Sequence, residues 1–273
     1  MAFDQVDFEG HMEIVFCGTG EAFDTAQSNT SILIQPSGKA GGILLDCGFT
    51  AAHAFWATAS RPMELDEVWI SHFHGDHFFG LPLLLIRMRE HGRSRPLIVR
   101  GGAGTGLAVA HALDLAYPGV REALGFGLEI HEVRPGTRTH EAWYSMAFAS
   151  VVHAVPTLAV RVETADGAIY YGGDGRPTRE CLDLALGVDL LVQESYHPIH
   201  ESDHHSSAVE AMEFGVRAGA RAMALVHIRR DGREDVREMA RKQGLTVLVP
   251  DSGDRFHIHS LGESRPSDTE VNQ

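Results

Sequence analysis

The chain has 273 residues, long enough for a substantial core in one large domain or two small ones. Hydrophobic residues make up 44% and charged residues 22%, and 37 acidic against 23 basic side chains leave a formal charge of −14, which excludes an extended basic surface for nucleic acid or anionic lipid. Three scattered cysteines without a C-x-x-C pair exclude a disulfide framework and fit a reducing, cytoplasmic setting, while 17 histidines are the unusual count.

Residues 1–10 read as a loose lead-in with no signal-peptide pattern. Residues 13–17 are a short apolar run ended by Gly18 and Gly20, the mark of a strand and turn. Strands follow at 31–35 and 42–46, joined by a turn at Pro36-Ser37-Gly38, and then a short helix at 51–59. Residues 67–71 form a buried strand that runs straight into His72. Helices are expected at 78–91 and 104–117, with a strand at 97–100 between them. The apolar stretch from Phe78 to Met88 is interrupted by Gly80, Pro82 and Arg87. It falls short of the roughly 20 residues a membrane helix needs, so it reads as core-facing and no membrane partner is expected. From 127 to 172 the pattern is mostly β, with strands at 143–154, 158–163 and 168–171 and a turn at Asp166-Gly167. After 178 helices (178–186, 207–218, 232–243) alternate with strands (189–193, 222–226, 245–249). Ser207-Ala208-Val209-Glu210 is a capping-box signal. His257 and His259 read as alternating positions on a terminal strand. Gly101-Gly102-Ala103-Gly104-Thr105-Gly106 approaches a dinucleotide fingerprint but has Leu107 where the third Gly should fall, and reads as a turn and helix start. A β-rich first half followed by helix–strand alternation implies two sheets with helices packed outside them. Residues 1–261 are expected to form one domain and 262–273 a polar tail.

The strongest signal is Ser71-His72-Phe73-His74-Gly75-Asp76-His77, directly after an apolar strand. Imidazole and carboxylate are the ligands of zinc and similar ions. In extended chain His72 and His74 point the same way. Asp76 and His77 lie past Gly75, where the chain can turn and present them from a second direction, which suits two metals. Further candidates recur at the ends of expected strands: His153, Asp174 and His227. Ligands on loops held by a rigid sheet are what a preorganised site requires.

The set His72-x-His74-x-Asp76-His77, His153, Asp174 and His227 resembles the dinuclear site of the metallo-β-lactamase superfamily, and its ribonuclease Z branch in particular. Phe16-Cys17-Gly18-Thr19-Gly20 with Asn29-Thr30-Ser31, and Leu44-Leu45-Asp46-Cys47-Gly48, resemble that branch's N-terminal signature. His153-Ala154-Val155-Pro156-Thr157 and Gly173-Asp174-Gly175-Arg176-Pro177 are similar to its third-histidine and bridging-aspartate motifs. Gln193-Glu194-Ser195 and His205-Ser206-Ser207-Ala208 resemble its later Glu and His motifs.

The resemblance implies a four-layer αββα sandwich, two mixed sheets with helices outside. It implies two divalent ions, zinc with Mn or Fe as alternatives. His72, His74 and His153 would hold the first ion, Asp76, His77 and His227 the second, and Asp174 would bridge them. Asp76 would also orient an activated hydroxide, His205 would stand by the leaving group, Glu194 would orient His205, and Asp46 would support a ligand from behind. The 197–205 stretch reads as a loop beside the site with only His205 engaged. Only 21 positions separate His153 from Asp174, too few for the long arm with which ribonuclease Z clamps tRNA. With the negative charge, this points to a small or short nucleotide substrate, a cyclic nucleotide or a short RNA end, rather than to long tRNA. The expected activity is metal-dependent phosphodiester hydrolysis. Lactone, thioester or related carboxylic hydrolysis is the alternative, and a di-iron or regulatory metal-binding role a further one. Relatives of this branch are commonly homodimers, so a homodimer is expected.

Overall fold

A computed structural model describes residues 12–200 and 202–261. The lead-in at 1–10 and the tail at 262–273 lie outside the described residues. The strands are β1 (Glu13–Gly18), β2 (Ser31–Gln35), β3 (Ile43–Leu45), β4 (Glu67–Ile70), β5 (Leu97–Gly101), β6 (Leu128–Glu132), β7 (Arg138–His140), β8 (Tyr144–Val152), β9 (Thr157–Thr164), β10 (Gly167–Tyr171), β11 (Arg176–Pro177), β12 (Leu190–Glu194), β13 (Ala222–Val226), β14 (Thr246–Leu248) and β15 (Arg255–His257). The helices are α1 (Ala51–Thr58), α2 (Gly75–Phe78), α3 (Leu81–Glu90), α4 (Thr105–Ala116), α5 (Arg179–Ala185), α6 (Ala208–Ala218) and α7 (Arg233–Arg241).

One sheet has the order β15-β1-β2-β3-β4-β5-β6 and the other β11-β8-β9-β10-β12-β13-β14, with β7 paired to β8. Both are mixed. β3 to β6 run parallel, as do β10, β12, β13 and β14, while β8, β9 and β10 form an antiparallel meander. Ile14, Phe16, Trp69, Phe148, Val160 and Ile169 from the facing sheets form one core between them. Val15, Leu44 and Val68 on the outer face of the first sheet pack against Phe55 of α1, Leu84 and Met88 of α3 and Leu113 of α4. Tyr170, Leu191 and Met223 on the second sheet pack against Cys181 of α5, Phe214 of α6 and Val236 of α7. This is the expected four-layer sandwich. With both faces covered, the central strands need apolar residues at every position, so they read as continuous apolar runs.

The helix expected at 78–91 is α3, which begins at Leu81: Phe78 ends the short α2, and the Gly80 N–H between them is taken by the Cys47 carbonyl at 2.9 Å, with Gly80 so close to the Gly48 carbonyl that a Cβ would collide with it. Leu81, Leu84, Leu85 and Met88 are buried core residues. The terminal strand stops at His257, and His259 lies in a single 3₁₀ turn, so the two do not alternate on one strand. The two-residue β11 is too short to be read from periodicity. Ser207 does cap α6 in a full capping box with Glu210. Cys17, Cys47 and Cys181 are free and buried, and burial pushes the Cys17 thiol up to about 11. No described helix is long and apolar enough to cross a membrane.

A buried charge network ties the sheets together one strand length behind the site. Glu67 accepts from Arg100 Nε at 2.7 Å, from Arg100 Nη2 at 2.9 Å and from the Tyr144 hydroxyl at 2.6 Å. Arg100 also donates to Glu141 at 2.7 Å. Removing one partner strands a desolvated charge, which costs about 3–5 kcal/mol. Glu67→Ala is therefore expected to lose stability of that order in urea unfolding, and a loss below about 1 kcal/mol, the range of exposed pairs, would show that the network is not a structural tie.

Candidate metal centre

β8, β10, β12 and β13 all run in one direction in the second sheet, and β3 and β4 are parallel neighbours in the first. Functional side chains lie at or just beyond the C-terminal ends of these strands: Asp46 after β3, His72 and His74 after β4, His153 after β8, Asp174 after β10, Glu194 at the end of β12 and His227 after β13. Asp76 and His77 come from the first turn of α2. This is the crevice position that open α/β sheets use for ligands.

The ligand atoms converge in three groups, each within 4.8 Å of one another: His72, His74, His153 and Asp174; Asp76, His77, Asp174 and His227; and Asp174, Glu194, His205 and His227. Asp174 belongs to all three. His72 Nε2 lies 3.0 Å from His74 Nδ1, which is 3.3 Å from His153 Nε2. In the second group His77 Nε2 is 3.1 Å from Asp174 Oδ1 and 3.4 Å from Asp76 Oδ2. His227 Nε2 is 3.2 Å from Asp76 Oδ2 and 3.3 Å from Asp174 Oδ2. All seven residues expected as ligands therefore come together, and the expected outer pair joins them: His205 Nδ1 lies 2.9 Å from Glu194 Oε2.

The surrounding groups orient these rings. Asp46 accepts at 2.7 Å from the Ser71 backbone N–H and the Ser71 hydroxyl, at 2.7 Å from His77 Nδ1 and at 2.6 Å from the Tyr171 hydroxyl. With its own proton spent on Asp46, the Ser71 oxygen accepts from His72 Nδ1 at 3.0 Å. The backbone carbonyl of His204 accepts from His153 Nδ1 at 2.8 Å. These bonds place the N–H on Nδ1 and turn Nε2 of His72, His77 and His153 inward as acceptors. Asp46 and His227 are the described non-glycine residues with left-handed backbone, φ 63° and 53°. Such conformations gather at functional sites, where neighbours hold them in place.

Burial drives His72 well below its ordinary pKa, keeping it neutral. Burial also opposes charge on Asp76, but the hydrogen bond from His227 outweighs it and holds the carboxyl below the usual range. Burial would likewise lower His227, yet Asp174 and hydrogen bonds with Asp76 and Glu194 push it up to about 10. His205 moves up for the same kind of reason, through Glu194.

A cation fits this arrangement. His77 Nε2 and Asp174 Oδ1 are buried without a hydrogen-bond partner. Such atoms are costly to leave unsatisfied in a protein interior. Imidazole nitrogens facing each other across a buried carboxylate are the donor set that divalent ions select.

Sequence reasoning missed Ser71 and Tyr171 as supports, and nothing in their type or spacing marks them. It also assigned the 197–205 loop only one engaged residue. The correction is that His204 holds His153 through its backbone carbonyl, which no side-chain pattern can reveal. Tyr196 stacks on His205 at 4.8 Å, a further unmarked contact.

Fold and relatives define the class: a hydrolase of the metallo-β-lactamase fold, ribonuclease Z-like, with a divalent-metal site. The chain belongs to the family described as Anti-Pycsar protein Apyc1, whose model matches residues 12–249. It is 28% identical to ribonuclease Z of Methanothermobacter thermautotrophicus, over 80% of this chain and 86% of that protein. Among solved structures it is similar to the metallo-β-lactamase fold protein YhfI from Bacillus subtilis, with TM-score 0.76, 20% identity and coverage of 91% of this chain and 99% of that one. It is also similar to the short form of human tRNase Z, with TM-score 0.75, 19% identity and coverage of 90% and 99%.

Groups that orient ligands typically govern metal affinity by 10–100-fold. Asp46→Ala is expected to lower affinity by about that factor in a chelator competition assay. Unchanged affinity would remove Asp46 from the centre.

Proposed function

We propose that this protein is a phosphodiesterase that cleaves a small phosphodiester, a cyclic nucleotide or a short RNA end, at a centre of two divalent ions, zinc first, with Mn or Fe as alternatives. His72, His74 and His153 would hold one ion, Asp76, His77 and His227 the other, and Asp174 both. Such ions would supply Lewis acidity and a water activated near neutral pH.

The observation that carries the reading is the Glu194–His205 pair. Glu194 is buried at the end of β12, where Oε1 accepts from the backbone of Gly175 and Ser206. Its other oxygen meets His205 Nδ1, so Glu194 fixes the His205 ring and favours its protonated form. With Nδ1 engaged by Glu194, Nε2 of this partly exposed ring is the nitrogen left to give a proton to a substrate, and the ring belongs to the group with Asp174 and His227. An alkoxide leaving from phosphorus needs such a proton. Asp76 stands between His77 and His227, where it would orient the attacking group.

A small substrate is favoured by the chain between His153 and Asp174. β9 and β10 consume it as a tight hairpin turning at Ala165 and Asp166, with no arm to clamp a long RNA.

Chelation should abolish hydrolysis of bis(4-nitrophenyl) phosphate, and added Zn²⁺ or Mn²⁺ should restore it. No turnover of any phosphodiester at full metal loading, with turnover of a lactone or thioester instead, would overturn the proposal. His205→Ala should lower kcat by about 10²–10⁴ with metal content unchanged, the span that general acids contribute. A variant as active as the parent would remove His205 from proton transfer.

A further inference from the structure

A proton donor must present its N–H along one line, and the Glu194 contact alone does not secure that for His205. A histidine side chain has two torsions, and the 2.9 Å contact from Nδ1 to Glu194 Oε2 fixes one point on the ring. The ring remains free to turn about that point, and it is partly exposed, so no core closes around it. A second group has to fix its plane.

Tyr196 is placed to do this. Its ring stacks on that of His205 with centroids 4.8 Å apart and planes 28° from parallel. His227 is more nearly parallel to His205, at 9°, but its ring lies 6.2 Å away. His153 meets His205 at 78°, so it bears on the ring without lying along its face.

The chain brings Tyr196 there by register. Glu194 ends β12, and the pairing with the neighbouring chain continues past it. The Ser195 N–H donates to the Val226 carbonyl at 3.0 Å, and the Tyr196 carbonyl accepts from the Arg229 N–H at 3.0 Å. Alternate side chains of extended chain share a face, so Glu194 and Tyr196 both reach His205. The Tyr196 N–H donates to the Ser206 carbonyl at 2.9 Å, which ties it to the residue that follows His205. His197 rests edge-on against the phenol ring at 4.8 Å and 83° and braces it. The Tyr196 hydroxyl makes no hydrogen bond among the described residues, so the flat face carries the contact.

We infer that Tyr196 is a positioning residue, whose ring holds the His205 imidazole in the plane that points Nε2 at the leaving group. The inference rests on the phosphodiesterase reading, in which His205 gives the proton, and adds the group that aims it.

The test uses the metal-loaded full chain and two readouts. Steady-state kinetics with cyclic AMP, whose leaving group is a ribose alkoxide, separates kcat from KM. Nuclear magnetic resonance of histidine-labelled protein follows the His205 ring, assigned with His205→Ala, and needs no turnover. Tyr196→Ala should lower kcat by about threefold to tenfold, the worth of one aromatic pair, with KM and metal content unchanged. It should also broaden the His205 ring signals, as the ring exchanges between orientations. Tyr196→Phe keeps the flat face and should restore both kcat and sharp signals. In a His205→Ala background, Tyr196→Ala should cost nothing further, because residues that act as a unit are not additive. If Tyr196→Ala does not fold, Tyr196→Leu, which keeps part of the bulk but no flat face, takes its place. An unchanged kcat, a loss in Tyr196→Phe as large as in Tyr196→Ala, a loss undiminished in the His205→Ala background, or His205 signals equally sharp in every variant overturns the inference. Failure of the function itself reads differently: the parent protein then turns over no phosphodiester, and the ring signals alone decide whether Tyr196 holds His205.

Discussion

Asp174 is a buried carboxylate that no backbone hydrogen bond among the described residues relieves, and a charge in that position survives only with positive partners around it. His227, pushed up to about 10, supplies one, and the Nε2 atoms of His72 and His77 turn toward the same oxygens. Because Asp174 belongs to every ligand group, its placement decides where each histidine must stand and where an ion can sit. The imidazoles in turn are held by Asp46, by the Glu194 carboxylate and by the His204 carbonyl. The centre is thus a nested arrangement, in which each inner group has its free direction set by an outer one.

The sheets make that nesting feasible. Neighbouring strands with one sense end on one edge, so side chains far apart in sequence meet there without long loops. The sandwich then holds the two edges together through the core between its sheets and through the Glu67–Arg100–Tyr144 network. The left-handed conformations of Asp46 and His227 persist because sheet ends and ligand contacts over-determine them. Rigidity of this kind suits metal hydrolysis, where small misplacements of oriented groups cost rate.

Much of this was legible before any coordinates. The 72–77 run announced itself because all its ligands are near neighbours, so spacing alone carries the information. The strand ends bearing His153, Asp174 and His227 were found because apolar runs are local patterns with sharp polar ends. The start of α3 at Leu81 was not, since the Gly80 N–H before it bonds to the carbonyl of Cys47, a residue distant in sequence. The same holds for the two-residue β11, which exists only through pairing with β8.

By itself the sequence determined the residue types of the centre and two sheets with helices outside them, because both follow from spacing and apolar patterning along the chain; the four-layer sandwich and the lack of room for a long arm came from the resemblance to ribonuclease Z. Tertiary structure alone decided that Asp174 is shared by three groups, that Ser71, Tyr171 and the His204 carbonyl set the ring directions, and that Tyr196 stacks on His205. Those facts depend on strand direction and on approach through space, where a backbone carbonyl counts as much as a side chain and leaves no mark in the residue code.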